Sequence, residues 1–511
     1  MINIKDLTLR EKICQTVIIN KPEEMFEQYG GYKEFLKKYP VGGIYLGGSM
    51  VGGRMPGTEE SFSIQQDWND EVRVPVIFCG DMEKSIDGPC QMAMGAVNDV
   101  DLCYRCGQEI GRKFKSEGKH WVFGPVVDMA MSEVAPINIR AIGDNPEKAK
   151  YELENIVKGI GSEKVVATAK HFPGMGRELA DTHLTRVSVN LTKEEWDSTY
   201  RVIYKHLIDN GLMSIMSAHM SLPVYQTECD EYGQYPAATV SKELLTDLLK
   251  DDLGFKGVVV TDGLIMGGTG GNSAEFAVKA LRTGNDMLLW PDMGYVDLLE
   301  EKINNGEFPI ERLDDAVERI FRMKEFAEVE KTLEQTEKVI PQVGKEIAER
   351  SITLLNNRKN IIPLDSKKIK KILLVVVANN EYTRERMIGL KDVFEGYGIE
   401  VILSYDLWIP ELKKLEAEVD LTVFAIFEGP CRNPGPIMIN GRNCESVWAS
   451  QSADPEKTII ASFGSPFLYN EYYRHATTYI NAYSFARVTL EAFVKAIFGE
   501  IECDGKSPVK I

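Results

Sequence analysis

Two apolar runs in this chain end in residues with reactive side chains. Val165-Val166-Ala167-Thr168-Ala169 leads into Lys170-His171-Phe172-Pro173-Gly174-Met175-Gly176, with Asp181-Thr182-His183 close behind, and Val258-Val259-Val260 leads into Thr261-Asp262-Gly263. Cleaving a glycosidic bond with retention needs a carboxylate nucleophile at the anomeric carbon and a proton donor on the leaving-group side, about 5 Å apart. Asp262 is the candidate nucleophile and His183 the candidate donor. Asp181, two residues earlier, would hold the imidazole ring and raise its proton affinity. Each signal also has an ordinary structural reading, because strand-end aspartates cap loops and Asp-x-His occurs in many loops by chance.

These side chains need strands to deliver them. A short β-branched run that closes on a charged residue and a glycine reads as a buried parallel strand presenting a side chain at its open end, where the active sites of parallel α/β folds lie. Seven runs fit: Val41–Leu46, Val74–Cys79, Trp121–Val127, Val165–Ala169, Leu212–Met216, Val258–Val260 and Met287–Trp290. In order, they lead into Gly47-Gly48, Gly80-Asp81, Asp128, Lys170-His171, Ser217-Ala218-His219, Thr261-Asp262 and Pro291-Asp292. Helical patterns such as Lys242 to Asp252 and Ser273 to Thr283 lie between some of them. The pattern predicts an α/β fold, a (β/α)8 TIM-type barrel with one strand missed or irregular. Gly267-Gly268-Thr269-Gly270-Gly271, just past Asp262, reads as a mobile loop at the mouth. It has neither the G-x-G-x-x-G register nor the following Lys-Ser/Thr that would cradle a phosphate.

From about Leu313 to Arg350 the chain becomes charged and helical, and a second α/β unit begins at Lys371-Ile372-Leu373-Leu374. The expected domains are 1–340, the barrel, and 341–511, a smaller α/β unit. A length of 511 residues agrees with two cores, and 44% hydrophobic with 27% charged residues is ordinary globular composition. The net charge of −18 opposes nucleic acid and anionic membranes as partners. Nine cysteines without a disulfide-like framework, and a start lacking the apolar run of a secretory leader, suit a cytoplasmic location. Cys103-x-x-Cys106 stands without a second pair and reads as structural.

Several ordered motifs resemble glycoside hydrolase family 3, and within it the bacterial exo-β-N-acetylglucosaminidase branch. Lys170 to Gly176 matches K-H-F-P-G-H-G, Asp181-Thr182-His183 the D-S-H dyad, and Leu253 to Asp262 the segment that carries the nucleophile. Phe123 to Asp128 and Ile139 to Glu147 echo two further barrel motifs, and Glu349 to Asn357, Ile362-Pro363-Leu364 and Gly505 to Val509 echo the C-terminal α/β sandwich. The resemblance implies that Asp262 attacks C1 and that His183, oriented by Asp181, acts as acid and then base. Asp81, Arg140, Lys170 and His171 would hold the innermost sugar, with Asp128 and His219 supporting or contacting it. Trp290 would stack on a sugar face or fill the core. The partner implied is a small carbohydrate, with phosphate an open acceptor, and no cofactor is called for.

Met175 departs from the motif histidine, Arg177-Glu178 from the usual D-T, Asp81 to Ser85 from D-x-E-G-G, and Gly263 from the common Asp or Ala. The leading expectation is a retaining exo-β-N-acetylglucosaminidase. Alternatives are a phosphorylase on the same site, a β-glucosidase or β-xylosidase, a silent sugar-binding protein, or a Schiff-base lyase using Lys170. A metal hydrolase drawing on His120, His171, His183, His219 and Asp262 is disfavoured, because six histidines show no H-x-H or H-E-x-x-H spacing.

Overall fold

Eight parallel strands close into a barrel in the computed structural model, which describes residues 3–20, 27–47, 72–86, 88–330, 339, 341–431 and 435–511. They are β1 (Val17–Asn20), β2 (Gly43–Tyr45), β3 (Ile77–Asp81), β4 (Trp121–Phe123), β5 (Val166–Phe172), β7 (Ser214–Ser217), β9 (Val258–Thr261) and β10 (Leu288–Leu289). A two-residue pair, β6 (Val187–Ser188) and β8 (Met220–Ser221), lies outside this ring. The order β10-β1-β2-β3-β4-β5-β7-β9 is closed by a parallel bridge from Val260 to Met287, where the Thr261 amide donates to the Met287 carbonyl at 3.0 Å.

All seven apolar runs hold strands, and the eighth strand is β1. It escaped the sequence reading because it directly follows a helix, Leu9–Gln15, whose apolar residues run into it. That helix opens with a capping box between Thr8 and Glu11. It ends where Thr16 turns its hydroxyl back to the Ile13 carbonyl at 2.7 Å and a β-branched run begins. Gly48 lies outside the described residues, as do 331–338 and 340, on which the expected boundary falls.

The chain forms two compact units. The first comprises Met1–Glu83, Cys103–Asp128 and Pro146–Ile340, and the second comprises Lys84–Leu102, Met129–Asn145 and Pro341–Ile511. The second is built on a six-stranded sheet of β11 (Thr353–Asn357), β12 (Lys371–Ala378), β13 (Glu400–Ser404), β14 (Leu421–Phe427), β15 (Thr458–Ser462) and β16 (Thr478–Asn481). Its order is β11-β16-β15-β14-β12-β13, parallel except for the antiparallel edge strand β11. The central strands β12 and β14 are near-continuous apolar runs because helices cover both faces of such a sheet.

At the end of the barrel away from the reactive residues, Asp286 is buried but fully partnered. It accepts from Lys250 at 3.0 Å, Arg312 at 2.5 Å and the Val259 amide at 2.8 Å. Burial pushes its pKa up, yet these two cations, the nearby Arg319 and that amide hold it below the usual range. Among the described residues no helix is long and apolar enough to cross a membrane.

Candidate active site

The carboxyl ends of β3 and β5 meet through an ion triad. Lys170 donates to Asp81 at 2.5 Å and to Glu83 at 2.7 Å, and the Tyr45 hydroxyl at the end of β2 donates to the other Asp81 oxygen at 2.5 Å. All four side chains are nearly or fully buried, so each charge depends on the others for compensation. An amine gripped by two carboxylates is held as an ammonium, which disfavours an imine-forming lysine. Tyr45 and Glu83 were not singled out in the sequence. Tyr45 was hidden inside the first apolar run, and Glu83 was marked only by standing two residues past Asp81, at the E of the D-x-E-G-G pattern.

Adjacent residues in a regular strand face opposite ways, yet Lys170 and His171 both serve this end of the barrel. The pairing of β5 with β7 shifts register between Lys170 and Phe172, leaving His171 as an inserted residue that re-aims the strand. His171 Nδ1 lies 2.6 Å from Asp128, whose second oxygen accepts the Met175 amide at 2.9 Å. A carboxylate only accepts, so Nδ1 carries the proton of that bond. Met175 meets Asp128 through its backbone, which any residue supplies. Just before it, Gly174 has φ of 106°, and a Cβ there would lie 2.3 Å from the Tyr200 ring, so this turn admits only glycine. Glu178, one of the departures from the motif, closes the turn by accepting the Gly176 and Arg177 amides at 2.9 and 3.0 Å.

The loop then presents Asp181 and His183. Asp181 Oδ1 accepts the His183 backbone amide at 2.9 Å and faces the ring Nδ1 at 2.6 Å. The His183 side chain is 51% exposed, whereas that of Asp181 is 10% exposed. Downstream, β6 pairs with β8 and ties the loop back to the barrel rim.

Asp262 stands at the end of β9, its amide bonded to the Ser217 carbonyl at 2.8 Å and its Oδ1 accepting the Gly263 amide at 2.7 Å. Burial pushes its pKa up, but the imidazoles of His171, His219 and His183, with the Gly263 amide, bring it below the ordinary aspartate range. These three histidines and Asp262 therefore gather at one mouth.

His219 is fully buried, and both ring nitrogens are engaged. Nε2 donates to the Gly263 carbonyl at 2.9 Å and Nδ1 faces Thr239 at 2.9 Å. It reaches Asp262 through the backbone of Gly263, a supporting position rather than one open to a ligand. Trp290 is half-buried, its ring edge packed on Gly263 and set edge-on to Tyr45 at 5.1 Å. Arg140 lies in the short turn Asn138–Arg140, which belongs to the second unit. His120 is buried in the barrel wall, where it accepts the Phe78 amide at 3.3 Å and burial pushes its pKa down to about 3. Among the described residues no three His, Cys, Asp or Glu side chains converge as ligands for a metal ion.

The profile of the glycosyl hydrolase family 3 N terminal domain matches residues 8–323. A beta-N-acetylglucosaminidase/beta-glucosidase of Cellulomonas fimi is 26% identical over 511 aligned residues, spanning 92% of this chain and 89% of that protein. Among solved structures, a beta-glucoside phosphorylase, BglX, bound to 2FGlc superposes with a TM-score of 0.86 at 24% identity, covering 99% of this chain and 95% of the other. A family 3 beta-N-acetylglucosaminidase from Paenibacillus sp. str. FPU-7 superposes with a TM-score of 0.83 at 23% identity, covering 99% of both chains. The fold is thus a TIM-type barrel with a second α/β sandwich unit.

Proposed function

Because the chain belongs to glycosyl hydrolase family 3 and is a glycoside hydrolase, we propose that it is a retaining, exo-acting β-N-acetylglucosaminidase. Asp262 attacks C1 of the terminal sugar while His183 protonates the departing oxygen, giving a glycosyl-aspartate. His183 then takes a proton from the incoming water, which displaces Asp262 and restores the anomeric configuration. The observation that carries this reading is the Asp181–His183 pair, held by a single carboxyl oxygen on a loop at the mouth where Asp262 is kept ionised. Asp81, Lys170 and His171 hold the sugar hydroxyls through charge-assisted bonds that strengthen as the oxocarbenium-like state develops. Asp128 completes the sugar-binding set by bracing His171, and His219 supports the nucleophile from behind.

The division of labour proposed is 1–340 for catalysis and 341–511 for the sandwich. A cytoplasmic location fits nine cysteines scattered along the sequence without a disulfide-like framework.

Phosphorolysis is the second reading. A histidine donor is left neutral after the first step, so an arriving phosphate is not repelled as it would be by a carboxylate. The fold is also shared with a beta-glucoside phosphorylase. A panel of aryl β-N-acetylglucosaminides, β-glucosides and β-xylosides, assayed with and without phosphate, tests both. Free N-acetylglucosamine with retained configuration is the expected product. A sugar 1-phosphate would move the assignment to phosphorylase, and binding without turnover of any substrate would overturn the enzymatic mechanism.

A further inference from the structure

Asp181 and His183 form a rigid pair on their own loop, but nothing within the pair sets where it stands relative to Asp262. Two backbone bonds from the nucleophile's own segment do. Five and six residues after Asp262, the Gly267 amide donates to the His183 carbonyl at 2.9 Å and the Gly268 amide donates to the Thr182 carbonyl at 3.0 Å. We infer that Gly267 and Gly268 are positioning residues for the acid/base, a backbone clamp that fixes the proton donor in register with the nucleophile. This rests on the assignment of His183 as the donor.

The clamp is itself anchored. The Leu264 amide donates to the Leu289 carbonyl at 2.9 Å, and the Met266 amide to the Gly263 carbonyl at 3.0 Å, the same carbonyl that accepts His219. Thr269 closes the turn with its hydroxyl on the Met266 carbonyl at 2.8 Å. The segment expected to be a mobile loop is thus a bonded turn at its first half. Only Gly270 and Gly271 have positive φ, so the two glycine pairs do different work.

At the first pair glycine is required for closeness, not for backbone freedom. A Cβ on Gly267 would lie 2.5 Å from the Leu184 carbonyl oxygen and 3.0 Å from that of His183. A Cβ on Gly268 would lie 2.8 Å from the Thr182 carbonyl oxygen and 2.7 Å from the His219 Cβ. Alanine can adopt the local backbone, but its methyl drives the dyad loop away and breaks both bonds. A donor displaced by about 1 Å loses on the order of 100-fold in rate.

The test uses the full chain and aryl N-acetyl-β-glucosaminides whose leaving groups span a wide range of acidity. Gly267→Ala and Gly268→Ala are expected to lower kcat/KM by about 10- to 100-fold for poor leaving groups. Activated leaving groups, which need little protonation, are expected to be nearly spared, with calorimetric affinity for N-acetylglucosamine unchanged. Gly267→Ala presses only on carbonyl groups, so it carries the test should Gly268→Ala fail to fold. His183→Ala is the reference and must show the same steepening. A folded Gly267→Ala variant with wild-type dependence on leaving-group acidity overturns the clamp. Absence of steepening in His183→Ala overturns the donor assignment itself.

Discussion

One carboxyl oxygen of Asp181 serves His183 twice, accepting its backbone amide at 2.9 Å and facing its ring Nδ1 at 2.6 Å. The double contact removes rotation of the ring about its side-chain bonds, because backbone and imidazole are pinned to the same point. It also assigns the tautomer, since a carboxylate accepts only and Nδ1 must hold the proton, which turns Nε2 outward. The exposed half of the pair is the imidazole and the buried half is the carboxylate, as a proton-transfer group at an open mouth requires.

Replacing Asp181 by alanine is expected to lower kcat/KM for an unactivated β-N-acetylglucosaminide by about 100- to 10,000-fold, the range of general acid–base catalysis. The effect should fall on kcat more than on KM, because the pair acts on the leaving group. Steady-state rates indistinguishable from wild type would remove the pair from the reaction.

Asp262→Ala is expected to reduce turnover by several orders of magnitude while product binding persists, since the residue supplies the covalent step. In the wild type, the histidine charges hold this carboxyl below the ordinary aspartate value of about 3.9. The fall of kcat/KM traced to it should therefore lie on the acid side of that value. His171 is the largest of the opposing influences, so His171→Ala should move this limb to higher pH. An unmoved limb would show that another group controls it.

Lys170→Met leaves Asp81 and Glu83 facing each other without a cation in a nearly dry site. Breaking a buried pair in this way costs about 3–5 kcal/mol. Thermal unfolding should therefore fall markedly, and adding Asp81→Asn with Glu83→Gln should recover part of the loss. If the single variant melts like the wild type, the triad is not what compensates these charges.

Lys324 is buried under the barrel, donating to Gln15 at 2.6 Å and to the Pro75 carbonyl at 2.7 Å, and burial pushes its pKa down to about 7. An unfolded chain protonates lysine up to about 10.4, so between those values the unfolded state binds more protons and stability rises with pH. The cost of the buried charge is complete below pH about 7 and fades towards pH about 10. Midpoints of thermal unfolding should climb from pH 7 to pH 9 more steeply in the wild type than in Lys324→Met. Equal slopes would contradict the buried-lysine account.

Much of the barrel could be read in the chain because parallel strands buried on both faces are written as apolar runs. The polar residue ending each run marks the open end of the strand. That logic assigns Asp81, Asp128, Lys170, His171 and Asp262 to one end of the barrel from the chain alone. It failed for β1, where helix and strand share one apolar stretch, and for Tyr45, whose hydroxyl is hidden in a run read only for its hydrophobicity. His219 was legible as a strand-end residue but not as one turned inward to a backbone carbonyl.

By itself the amino-acid order determined the barrel's strand count to within one and which reactive side chains end its apolar runs, because hydrophobic periodicity and residue chemistry are local properties. Tertiary structure alone decided which groups compensate which. The bulge that lets Lys170 and His171 share a face, the grouping of Arg140 with the second unit and the seat of Thr182 and His183 on Gly267 and Gly268 all depend on contacts between distant segments. Such contacts are made by backbone amides and carbonyls, which every residue carries alike and which therefore leave no letter in the sequence.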